Sequence, residues 1–130
     1  MTGETNQKVL IQHMEPLLND GEYVFCTTTT PTQIDSTDII GSFREKEGTS
    51  LILEKAKADQ YQLDYDYVAA WITLNIHSAL DAVGLTAAFS NALATAGISC
   101  NVIAGYYHDH IFVAKQDADK AMEVLREMSR

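Results

Sequence analysis

At Gly97 the apolar period of this chain changes from helical to alternating, so a helix runs directly into a strand. Leu85, Ala88, Phe89, Ala92, Leu93 and Ala96 recur at i, i+3, i+4, i+7, i+8 and i+11, which is one face of an α-helix. Gly97 then supplies a residue able to adopt positive φ at the helix end. After it, Ile98, Cys100, Val102 and Ala104 alternate with Ser99, Asn101, Ile103 and Gly105, a strand with two distinct faces. His110–Ala114 returns as an antiparallel neighbour after a turn through Tyr106–Asp109. Asp117 opens a last helix with Ala118, Ala121, Met122, Leu125 and Met128 on its inner face. With the apolar strand Val68–Ile76 in front, the order is β-α-β-β-α. A ferredoxin-like βαββαβ unit needs one more strand, and the chain ends at Arg130 without it.

The first half reads differently. From Asn6 to Leu18, Val9, Leu10, His13/Met14 and Leu17/Leu18 follow a helical spacing that Asn19-Asp20-Gly21 stops. Tyr23–Thr28 is aromatic and β-branched, hence a strand, and Thr29–Asp38 with Pro31 is a loop. Ile39–Glu45 and Thr49–Leu53 flank the turn Lys46-Glu47-Gly48 as a hairpin, and Glu54–Leu63 is a short helix. The expected fold class is α+β, two modules in tandem at 1–65 and 66–130, with antiparallel sheets and helices on one face. A module of ~65 residues is marginal alone, so the two are expected to lend strands to each other or to dimerise.

Charge narrows the function. Between Tyr67 and Ala114 only Asp81 and Asp109 are formally charged in 48 residues, yet Thr, Asn, Ser, His and Tyr abound. No apolar run approaches the ~20 residues of a spanning helix. Polarity without charge suits subunit contacts and a small polar ligand. The net charge of −9, without a basic stripe, argues against nucleic acid and against anionic membrane surfaces. The N-terminal residues Met1–Lys8 have no apolar signal core, so the cytoplasm is the expected compartment. There Cys26 and Cys100 are expected as two buried, reduced thiols, although the sequence leaves a disulfide open.

Several residues match the chemistry of a small polar ligand. The first N–H groups of the Leu85 helix suit a carboxylate, and Gly84 permits close approach. Asp81 can pair with an ammonium, and Asn101 can donate and accept. Asp81 also reads as a turn residue and Gly84 as a simple helix start. Tyr106-Tyr107-His108-Asp109-His110 is the most enzyme-like string, and His77 could approach it from a neighbouring strand. It offers neither the spacing of a recognised metal motif nor a second carboxylate or nucleophile, so a turn into a strand is the preferred reading.

The strand Trp71–Ile76, the loop His77–Val83, the helix opened by Gly84-Leu85-Thr86, the Ala96-Gly97-Ile98 end and the Asn101-bearing strand resemble an ACT domain, as in the regulatory modules of aspartate kinases. From Phe43-Arg44-Glu45 through Glu47–Leu53 to Val113 the chain is similar to small stand-alone bacterial tandem ACT proteins. The resemblance spans about Tyr23 to Met128 and is weaker in the first module, where a loop replaces the usual first helix. It implies a regulatory amino-acid-binding protein without catalysis or cofactor. It also implies a ligand held where the first strand–helix loop of one module meets the second strand of a neighbour. Carried over, that site comprises Asp81, Val83, Gly84, Leu85 and Thr86 with Asn101 and Ile103. The small neutral outer positions Thr86, Ala87, Ser90, Asn91, Ala94 and Thr95 suit a packed contact, with a homodimer or higher homo-oligomer expected. A small metal-dependent or acid–base enzyme using His108, Asp109 and His110 is the rival, and a scaffold with a closed pocket is the third reading.

Overall fold

The computed structural model of the chain describes residues 11–75 and 84–130. It divides into two compact units, one of Met1–Asp20 with Ala70–Arg130 and one of Gly21–Ala69. We call these the discontinuous and the central unit. The strands are β1 (Glu15–Leu18), β2 (Tyr23–Thr28), β3 (Gly41–Arg44), β4 (Thr49–Glu54), β5 (Val68–Asn75), β6 (Asn101–Ala104) and β7 (Asp109–Ala114). Helices lying wholly within the described residues are α1 (Lys55–Gln60), α2 (Leu85–Thr95) and α3 (Ala118–Met128).

In the discontinuous unit the strand order is β1-β5-β7-β6. β1 pairs antiparallel with β5 from Glu15↔Asn75 to Leu18↔Ile72, and β6 with β7 from Asn101↔Phe112 to Ala104↔Asp109. Both helices cover one face. Ala70, Ile72 and Leu74 of β5 and Ile111 and Val113 of β7 pack with Leu85, Phe89 and Leu93 of α2 and with Ala118, Ala121, Met122 and Leu125 of α3. α2 ends as its sequence requires. Gly97 sits at φ 78°, the Ile98 N–H reaches the Leu93 carbonyl at 2.9 Å, and the Gly97 N–H reaches that of Ala94 at 2.9 Å. Ile98 is buried beside Leu93, which completes a Schellman cap with its apolar contact.

The strand missing from the β-α-β-β-α order is therefore β1, supplied by residues expected to be helical. The helical reading of Asn6–Leu18 is corrected from Glu15 onward, and Asn6–Leu10 lie outside the described residues. Ile11 and Gln12 are still helical, and the Met14 N–H turns to the Ile11 carbonyl at 3.2 Å. Pro16 explains the change. It disfavours helical backbone at Glu15 and cannot donate to a helix ladder, whereas an edge strand tolerates it. Spacings of three and four put the same apolar residues on a helix face, while Glu15–Leu18 alternate between exposed and half-buried as a strand does.

In the central unit, β3 and β4 form the expected hairpin from Gly41↔Ile52 to Arg44↔Thr49. β2 pairs antiparallel with β4 from Tyr23↔Glu54 to Thr28↔Thr49, and with the first two residues of β5 at Tyr23↔Ala69 and Val24↔Val68. The order β3-β4-β2-β5 repeats that of the discontinuous unit, so both are ferredoxin-like. The core is Val24, Cys26, Ile34, Leu51, Leu53 and Ala58. Between β2 and β3 the helix of a full module is replaced by two single 3-10 turns, Pro31–Gln33 and Ser36–Asp38. Cys26 is buried, Cys100 only half-buried, and both are free thiols. Among the described residues no helix is long and apolar enough to cross a membrane.

Phe89 is fully buried between the two helices and the sheet. Phe89→Ala is expected to destabilise the protein by about 3–5 kcal/mol, read from the urea midpoint of the unfolding curve.

Candidate functional site

Gly84 has φ 89° and precedes α2, whose first intrahelical bond runs from the Ala88 N–H to the Gly84 carbonyl at 3.0 Å. The N–H groups of Leu85, Thr86 and Ala87 consequently have no acceptor within the helix, and glycine has no side chain to cap them. A left-handed residue at this position is cheap only for glycine. Leu85 is buried in the core and fixes the helix start, while Thr86 is exposed beside it. Asp81, Val83 and His77 lie outside the described residues.

Asn101 opens β6, exposed, with its Nδ2 donating to the Phe112 carbonyl across the strand pair at 3.5 Å. So long a bond leaves the amide largely free for another partner. Ile103, two residues on, keeps 39% of its surface exposed. On α2, Thr86, Ala87, Asn91, Ala94 and Thr95 are exposed and Ser90 is half-buried, so none of the other described residues covers this neutral face.

The sheet face opposite the helices carries a polar network that the sequence did not reveal. The indole Nε1 of Trp71 donates to His110 Nδ1 at 3.1 Å, and the Thr73 hydroxyl lies 3.3 Å from the same nitrogen. Asn19 donates through Nδ2 to the Thr73 hydroxyl at 3.0 Å and to the Trp71 carbonyl at 3.2 Å. Trp71 also stacks over Phe112, with centroids 6.1 Å apart and planes 19° from parallel. An indole N–H can only donate, so Nδ1 of His110 is the acceptor and its ring proton resides on Nε2. Trp71 and Thr73 at alternate positions of a strand were the available signal. Asn19 gave none, because it reads as a helix stop.

This arrangement bears on the histidine string. The strand begins at Asp109, so His108 stays in the turn, and its ring meets that of His110 edge-on at 6.5 Å. The group that orients His110 through Nδ1 is Trp71 rather than Asp109. Burial, with the charge of His108, holds His110 below its ordinary range, and burial pushes the half-buried Asp109 carboxyl up. Among the described residues no group of three His, Cys, Asp or Glu side chains is placed to hold a metal ion.

Two ACT-domain family models match the chain in tandem, one over residues 2–70 and one over 67–127. No curated protein matches it. Among solved structures, a Vibrio cholerae protein of unknown function, described as a possible transport protein, is 47% identical. The match covers 95% of both chains with a TM-score of 0.84. An Agrobacterium tumefaciens protein is 19% identical over 89% of both chains, with a TM-score of 0.68. The ligand-free regulatory subunit of Thermus thermophilus aspartate kinase shares the fold at 8% identity, a TM-score of 0.62, and coverage of 88% of this chain and 97% of that one.

Two outcomes follow from the geometry. Because the folded state holds His110 below its ordinary value of 6.5, the unfolded chain takes up its proton first as pH falls. The histidine therefore withdraws stability from about pH 6.5 downward until its folded pKa is passed. Asp109, raised, acts in the opposite sense. Urea melts against pH should show this loss in the wild type and a flatter profile in His110→Asn, since Asp109 is present in both. Separately, a Cβ at Gly105 would lie 2.7 Å from the His108 carbonyl oxygen. Gly105→Ala is expected to cost about 1–3 kcal/mol in the same melts, through overpacking of the turn.

Proposed function

Because the chain belongs to the ACT domain family, we propose that it is a regulatory protein that binds a small amino acid and carries out no reaction of its own. The observation that carries this reading is the start of α2, where a left-handed Gly84 leaves three outward N–H groups for a carboxylate. Asp81 would receive the ammonium. Val83, Gly84, Leu85 and Thr86 would form the cradle, and Asn101 and Ile103 would contact the side chain.

Gly84 stands at the first end of α2, and Asn101 comes six residues after the other end. An 11-residue helix is about 16 Å long. In this reading one ligand reaches both groups only when Asn101 and Ile103 come from a neighbouring copy. The exposed neutral face of α2 fits the same homo-oligomer. Regulation is then linkage: a ligand shared between copies favours the arrangement that closes around it. The division into modules at 1–65 and 66–130 belongs to the same reading, and the family matches meet at residues 67–70. Free thiols at Cys26 and Cys100 are consistent with the reducing cytoplasm as its compartment.

A thermal-shift screen against the twenty amino acids tests the proposal. One of them at a hundredfold excess over its Kd should add about 2.7 kcal/mol of stability. Asp81→Ala should abolish that shift while leaving the ligand-free melting temperature unchanged. If no amino acid shifts the protein, the reading fails. If Asp81→Ala retains the full shift, the site lies elsewhere.

A further inference from the structure

In the central unit the chain after β2 passes through the first 3-10 turn beside the end of α1. Between that turn and the end of α1 lies an open cavity of about 110 Å³, lined by Thr28, Thr30, Gln33, Ile34, Tyr61 and Leu63. One wall is apolar: Ile34 is buried in the core, with Tyr61 and Leu63 packed against it. The other is a chain of neutral polar groups. The Thr30 hydroxyl donates to Gln33 Oε1 at 3.3 Å, the Thr28 and Thr30 hydroxyls are 3.4 Å apart, and the Thr30 N–H donates to the Thr28 hydroxyl at 3.1 Å. The links between side chains are long, so these groups retain bonding capacity.

No charged side chain lines this cavity, and the charges behind it already have partners. The Tyr61 hydroxyl donates to Asp38 Oδ2 at 2.6 Å and accepts from the Asp35 N–H at 3.2 Å. Lys57 sits 3.5 Å from Asp38, and Asp35 holds the N–H and hydroxyl of Thr37 at 3.0 and 2.8 Å. Two aspartates against one lysine disfavour an anion, and no carboxylate faces the cavity to hold a cation. Gln33 presents amide N–H donors, while the threonine hydroxyls present lone pairs. The complement of that pattern is another amide, whose carbonyl accepts and whose N–H₂ donates. Either orientation of the Gln33 amide preserves the match.

We propose that this cavity binds a small uncharged carboxamide, its amide against Thr30 and Gln33 and a short alkyl group against Ile34, Tyr61 and Leu63. The volume admits a molecule of roughly five to seven heavy atoms. With so few atoms its affinity is expected on the order of 1 mM. The site lies within the central unit and does not rest on the amino-acid reading, whose residues are in the other unit.

Propionamide is a suitable probe, with propionate as its charged counterpart. In a titration of the full chain followed by ¹⁵N–¹H spectra, propionamide should give saturable shifts at residues 28–34 and 61–63, and propionate should bind at least tenfold more weakly. Gln33→Ala, an exposed position, should weaken propionamide about tenfold, and Leu63→Trp should fill the cavity and abolish binding. Absence of saturable shifts in the wild type overturns the proposal, as does equal binding of propionate or an unchanged affinity in Gln33→Ala. The last variant keeps the test decisive if Leu63→Trp does not fold. An amino acid at the other site would be read at Gly84–Thr86, so the two failures are distinguishable.

Discussion

The discontinuous unit depends on β5, whose two faces carry separate tasks. Ala70, Ile72 and Leu74 are fully buried against the helices. Trp71 and Thr73 face the other way and meet His110. A register slip by one residue would exchange these sets, placing an indole N–H and a hydroxyl in an apolar core. Neither neighbour of β5 could then keep its bonds: β1 is held by four paired residues and by the Asn19 amide, and β7 by the His110 ring. The hydrophobic pattern and the polar network therefore specify one and the same register.

His110 also shows how the sheet holds a histidine from the most enzyme-like string of the chain. Its string of aromatic, histidine and aspartate residues suggests acid–base chemistry, yet its Nδ1 is committed to an indole donor. A histidine so held prefers to stay neutral, because protonating Nδ1 would set two donors against each other. Burial works in the same direction. The pair ties the sheet face away from the helices to the turn at Gly105, where a side chain would meet both the His108 carbonyl oxygen and the His110 ring.

Much of the fold was legible beforehand. The face from Leu85 to Ala96 became α2, the glycine after it became a Schellman cap, and the hairpin around Gly48 formed where its turn residues placed it. Each of these signals is local, set within one or two turns of chain. Residues 15–18 failed because their apolar spacing fits a helix and a short strand alike, and Pro16 was the one cue that separated them. Gly84 reads from the sequence as the start of α2, and its left-handed backbone there suits glycine. Asn19, Trp71 and Thr73 were not legible, since their partners are 37 to 54 residues away in the chain.

By itself the sequence indicated the helices and strands after Tyr23 to within a few residues, the inner faces of α2 and α3, the shortage of charge and the family, because these are written in local spacing and composition. The strand expected from Ile98 begins only at Asn101, since Ile98 closes the helix cap. Only the tertiary structure decided which strand completes the discontinuous unit, which atom of His110 bears the proton, and that the central unit keeps a cavity beside the end of α1. These outcomes arise from backbone and side-chain groups that must find partners far along the chain. Burial makes an unmatched donor or acceptor costly, and no local pattern says which distant group will supply the match.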